Sequence, residues 1–132
     1  MNAAAGAGKE SMQVTVPASN GARMSAGDVL DALEKAWKES ALVRELTITG
    51  TRELYRELEE GEKHGPLKRR IDALMFSPDG MRTAIEAKVD VADAGRESWA
   101  GIRPWMMVAH RFVYAVPAGL IDRPPVGADQ RI

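Results

Sequence analysis

The stretch Ile71–Lys88, IDALMFSPDGMRTAIEAK, decides how the chain is built. Ser77-Pro78-Asp79-Gly80 is good reversal chemistry, because proline presets φ and glycine accepts the left-handed position. Strands are therefore expected from Leu67 to Phe76 and from Met81 to Val89, paired as a hairpin. With Pro78, Asp79 and Gly80 as a three-residue loop and Gly80 as its bulge residue, Ser77 faces Met81. Stepping outward, Leu74 faces Ala84, Asp72 faces Glu86 and Arg70 faces Lys88. The opposite side collects Ile71, Ala73, Met75, Ile85, Ala87 and Val89, and this apolar side is expected to be the core.

That register sets Asp72 beside Glu86, with Cβ atoms roughly 5 Å apart, and Lys88 one step along. Two facing carboxylates repel, and partial burial sharpens the repulsion. The pair persists if a positive charge sits between them. Magnesium, which takes one or two carboxylates with waters and substrate phosphate, meets that need. Lys88 is then placed to orient or help deprotonate a metal-bound water. The same residues also fit a plainer arrangement: an exposed Glu86–Lys88 pair on an edge strand, with Asp72 bridged to Arg70 or Lys68. A slip of one residue in the turn would separate the acids, since it flips side chains between faces.

Outward from the hairpin, Val29, Leu30, Leu33, Ala36 and Trp37 recur at helical spacing, predicting a helix from Ser25 or Gly27 to about Ser40. Asp28 and Asp31 suit its first turn. Leu42–Ile48 alternates like a strand, and the highly charged Thr51–Glu60 reads as a solvated helix or excursion. After the hairpin, a helical segment from about Asp93 carries Trp99, Ile102, Met106 and Met107, with Pro104 as a kink or a fresh start. Asp93 reads as its cap rather than as a metal ligand. Arg111–Val116 is a last strand, stopped by Pro117 and Gly119. The fold class expected is α/β (α+β), one small mixed sheet flanked by helices. Residues 1–23 read as a flexible arm holding a short extended piece at Met12–Val16, 24–121 as the domain, and 122–132 as a loose tail.

The chain has 132 residues, enough for one domain, with a net charge of −1 and no cysteine. Disulfides, zinc–thiolate sites and thiol nucleophiles are thereby excluded. No apolar run approaches the ~20 residues of a membrane span, and MNAAAGAGKES lacks the apolar segment of a secretory signal. A cytoplasmic protein without membrane contact is expected. Near-neutral charge argues against a basic coat for nucleic acid but leaves room for local basic groups.

Asp72, a turn, then Glu86-Ala87-Lys88, after one helix and before another helix and strand, resembles the PD-(D/E)XK nuclease superfamily. Lys88-Val89 with Ala92-Asp93, an aromatic-containing helix, and Arg111–Leu120 are similar to its small MmcB-like, DNA-repair branch. Ile71 stands where the superfamily often has proline, and Trp99 and Pro104 are separated where a Trp-Pro pair is expected. The resemblance spans about Ser25 to Ile121. It implies a restriction-endonuclease-like αβββαβ core and a Mg2+- or Mn2+-dependent nuclease acting on DNA in repair, recombination or phage DNA processing. Asp72 and Glu86 would be the metal ligands and Lys88 the third catalytic position. Glu34 would supply a further acid from the first helix, with Glu45 the alternative. A catalytically inactive module of the same fold, binding DNA or docking within an assembly, is the alternative reading.

For the DNA itself, Lys68, Arg69, Arg70, Arg96 and Arg103 are the candidate phosphate contacts, with Arg44 a weaker one. A homodimer would let two sites address two strands, and a larger assembly is the other form to expect. His64 sits in a Gly-Pro loop, and His110 at a helix end where a cation is welcome, so neither is read as the base. Trp37, Trp99, Trp105, Phe112 and Tyr114 are assigned to packing.

Overall fold

The reversal at Ser77–Gly80 sets the pairing of the sheet. The Ser77 N–H donates to Met81 O at 3.0 Å, the Gly80 N–H to Ser77 O at 2.9 Å, and the Met81 N–H to Asp79 Oδ1 at 3.0 Å. Gly80 sits at φ 90°, the left-handed region that suits glycine. This computed structural model describes residues 11–18, 23–49, 68–97 and 99–126. From the turn, β3 (Lys68–Phe76) runs antiparallel to β4 (Arg82–Ala87), pairing Phe76 with Arg82, Leu74 with Ala84 and Ala73 with Ile85. That is the register the turn chemistry predicts.

Around this hairpin, β2 (Ala41–Thr49) adds antiparallel to β3, and β5 (Arg111–Pro117) adds parallel to β4. A further strand, β1 (Ser11–Val16), pairs parallel with β5. The result is a mixed α+β protein with one five-stranded sheet in the order β1-β5-β4-β3-β2. Strand β1 covers the short extended piece expected at Met12–Val16, within the segment otherwise read as a flexible arm. It is held by pairing from Ser11↔Phe112 to Val16↔Pro117, and Val16 is buried. At the other end Val126, placed in the loose tail by sequence, is buried too, and its carbonyl accepts from Ser11 Oγ.

Helix α1 (Ala26–Ala36) starts at a capping box: Ser25 Oγ accepts from the Asp28 N–H at 3.1 Å, and Asp28 Oδ2 accepts from the Ser25 N–H at 2.9 Å. It ends before the expected Ser40. Its Val29, Leu30 and Leu33 bury against Ala73, Met75, Ile85, Ala87, Val113 and Ala115. The opposite side of the sheet is buried as well, which corrects the single core side expected from the hairpin. There Leu74, Ala84, Phe112 and Tyr114 pack beneath Ile102, Trp105 and Met106 of α3 (Trp99–Val108). A short helix, α2 (Val91–Ala94), links β4 to it, and α3 runs through Pro104 unbroken. Among the described residues no helix is long and apolar enough to cross a membrane. The Thr51–Glu60 segment and His64 lie outside the described residues.

Regular pairing fails at one place on β3. The β2–β3 ladder passes from Arg44↔Ala73 to Leu46↔Ile71 and skips Asp72, opposite which Glu45 stands at φ 59°. The β3–β4 ladder ends at Ala73↔Ile85, one step short of Asp72. Ile71 and Ala73 would share a side in an ideal strand, yet they bury in different clusters. A left-handed non-glycine residue inside a strand marks local strain of the kind that gathers at functional sites.

Candidate functional site

Where the β3–β4 ladder stops, side chains take over from backbone. Asp72 is half-buried, and its Oδ2 accepts from the Ala87 N–H at 2.8 Å. The next facing residue beyond Ala73↔Ile85 is Glu86, also half-buried, so the two acids meet across the gap. Burial first, then the Asp72 charge, pushes the Glu86 carboxyl up to about 7. The Lys88 charge and the Asp72 N–H work in the other direction. Burial beside a second carboxylate thus outweighs the pull of the nearby ammonium.

Lys88 follows directly after β4, and its N–H donates to Ala115 O at 3.0 Å, which ties it to β5. Strand β4 is interior, and Lys88 is only 5% exposed, so the edge-strand arrangement does not occur. Its Nζ lies 2.7 Å from Glu97, 3.3 Å from Asp93 and 3.6 Å from Glu86. Burial by itself would lower the Lys88 pKa. The Glu97 bond and charge, with Glu86 and Asp93, outweigh it, so the net direction is upward. Lys88 therefore stays protonated: it can hold negative charge and donate hydrogen bonds, but it is poorly suited to removing a proton.

Two residues the sequence did not single out for the site complete this arrangement. Glu97 holds Lys88 through Oε2 and accepts from the Tyr114 O–H through Oε1 at 2.9 Å. Tyr114 sits on β5 opposite Glu86, fully buried, with Phe112 edge-on at 5.2 Å between ring centroids. Its phenol is pushed upward by burial and by Glu97, and remains neutral. Tyr114 reads as packing in sequence because its ring does pack. Glu97 has no periodic signal, since it lies in the irregular link between α2 and α3.

Other expectations resolve differently. Asp90, not Asp93, caps α2: its Oδ1 accepts from the Ala92 N–H at 2.7 Å and the Asp93 N–H at 3.2 Å, and these bonds lower its pKa. Asp93 pairs instead with Lys88 and, at 3.5 Å, with Arg96. Glu34 is exposed and bonds Arg44 at 2.8 Å, as Asp31 does, so that Arg44 is occupied as well. Among the described residues no three acids or histidines gather closely enough to hold a metal, so Glu34 does not join Asp72 and Glu86. What remains together is the pair Asp72 and Glu86; magnesium typically takes one or two carboxylates, with water and phosphate in its other positions. His110 accepts from the Arg82 N–H through Nδ1 at 2.8 Å, which ties the end of α3 to β4.

Arg70 and Arg96, both exposed, share a cleft of about 200 Å³ with Glu86, Glu97 and Trp105. Lys68 and Arg69 lie on β3 and Arg103 on α3, with their side chains outside the described residues. A wider hollow of about 840 Å³ lies at the hairpin tip, floored by Met12, Val14, Met75 and Val113. Its acids, Glu39 and Asp79, are exposed and stand apart from the strained point of the sheet, so the chemistry favours the smaller cleft. No family model, curated protein or solved structure matches the chain.

Proposed function

We propose that this protein is a metal-dependent nuclease of the PD-(D/E)XK type, hydrolysing DNA phosphodiester bonds in repair, recombination or phage DNA processing. One observation carries the reading: at the break in the sheet Asp72 lies close enough to Glu86 for its charge and N–H to act on the Glu86 carboxyl, with the buried Lys88 ammonium 3.6 Å from Glu86. The order α1-β2-β3-β4-α3-β5 agrees with a restriction-endonuclease-like αβββαβ core, with β1 as an addition at its edge. Asp72 and Glu86 would hold Mg2+ or Mn2+, which would polarise the phosphate and make a bound water more acidic. Lys88, protonated and fixed, supplies positive charge where negative charge develops in the transition state. Arg70 and Arg96 border the same cleft and hold the phosphates flanking the scissile one.

The reading of a nuclease-fold module that binds DNA without cutting is favoured by one observation. Glu34 is taken up by Arg44, which leaves the acidic set at two residues. A cleavage assay on single-stranded, duplex and branched DNA, with magnesium, manganese or chelator, separates the two. The nuclease should cut only with metal. Asp72→Ala and Lys88→Ala should each lower the cleavage rate about 10²–10³-fold with a much smaller effect on DNA affinity. Metal-independent cutting, or cutting indifferent to both substitutions, would sink the active-site assignment. Tight DNA binding with no cleavage under any metal selects the module.

A further inference from the structure

We propose that Glu97 and Tyr114 are positioning residues that fix the Lys88 ammonium against Glu86, an inference that rests on reading Asp72, Glu86 and Lys88 as the catalytic site. A lysine side chain has four rotatable carbons and loses its defined geometry unless its head is held. Here the head is almost fully buried among three carboxylates. Glu97 makes the shortest contact, 2.7 Å, with its side chain 18% exposed against 47% for Asp93. The less solvated pair feels the stronger field. Asp93 is also shared with Arg96.

Glu97 by itself is a weak anchor, because it lies in the irregular link between α2 and α3. Tyr114 removes that freedom. Its hydroxyl holds the second Glu97 oxygen, its ring lies wholly inside the sheet, and β5 is paired on both sides. A rigid strand therefore fixes a phenol, the phenol fixes a loop carboxylate, and the carboxylate fixes the lysine. Tyr114 does not line the cleft, and Glu97 at its wall has one oxygen on Lys88 and the other on Tyr114, so both act through Lys88.

The test combines catalysis with a measurement that needs none. Wild type, Glu97→Gln and Tyr114→Phe are treated with an amine-acylating reagent. Labelling of Lys88 is followed by mass spectrometry against exposed Lys35 on α1 and Lys38 in the turn after it as internal references. In parallel, kcat and KM are measured on DNA with magnesium. Labelling of Lys88 should quicken about tenfold in Glu97→Gln and by a smaller factor in Tyr114→Phe, with Lys35 and Lys38 unchanged. The rate constant kcat should fall about tenfold in Glu97→Gln with KM nearly constant. Tyr114→Phe keeps the ring in place, so it decides the matter if Glu97→Gln does not fold. Unchanged labelling in the folded variants overturns the positioning role whether or not the protein cuts DNA. Unchanged kcat in an active enzyme overturns it as well. A wild type that never cuts, but whose Lys88 is released by these substitutions, rejects the nuclease reading and leaves the positioning intact.

Discussion

At the scale of single residues, Glu86 links the site to stability. Its carboxyl is pushed from 4.5 to about 7 on folding, so the folded chain binds this proton more tightly than the unfolded one. The stabilising contribution is complete below the unfolded value and is lost as pH rises through the folded one. Above pH 7 the charged form is a fixed cost of about 3 kcal/mol. Glu86→Gln should therefore stabilise the protein by about that much at pH 8 and by little at pH 5. Urea unfolding at the two pH values checks this, and an equal shift at both would refute the ionisation account. The meeting of Asp72 and Glu86 was legible because one turn fixes the register of every residue in its hairpin. The Lys88–Glu97 contact was not, since it joins a strand end to an irregular link through tertiary packing alone. Asp90 and Asp93 show a smaller ambiguity of the same origin: either acid suits the start of a short helix, and only backbone geometry decides.

Among the elements, the hairpin and α1 rest on local chemistry that can be removed one piece at a time. Gly80→Ala meets nothing within 4 Å, so its cost comes from the left-handed backbone alone, about 1–2 kcal/mol. Ser25→Ala removes half of the capping box and should cost about 1 kcal/mol. Thermal unfolding measures both, and the two losses should add, because turn and cap share no contacts in the structure. These features could be read directly from SPDG and from Ser25 with Asp28. The second buried side of the sheet could not. In β3 and β4 its apolar residues, Leu74 and Ala84, alternate with Asp72 and Glu86, which makes that side look solvated until α3 is laid across it.

For the molecule as a whole, β1 matters more than its small, polar sequence neighbours imply. Deleting residues 1–18 would strip Val16 from the core and open the edge of β5, whose Phe112–Val116 are all buried. The expected result is a loss of several kcal/mol, with self-association through the bared edge. Denaturant unfolding and light scattering report the two effects, and a stable monomer after deletion would restore the reading of this segment as a mere arm. An extended piece at Met12–Val16 was legible, but its place in the sheet was not, because its partner is remote: Ser11 pairs with Phe112, and a parallel pair leaves no turn between its strands. The contact of Ser11 Oγ with the Val126 carbonyl carries a separate consequence. Ser11 and Val126 lie side by side, so a short linker between them can close the segment 11–126 into a ring. New ends cut in the exposed Pro78–Gly80 turn would then give a circular permutant with every strand still present, and a host protein could carry the whole unit inside one surface loop.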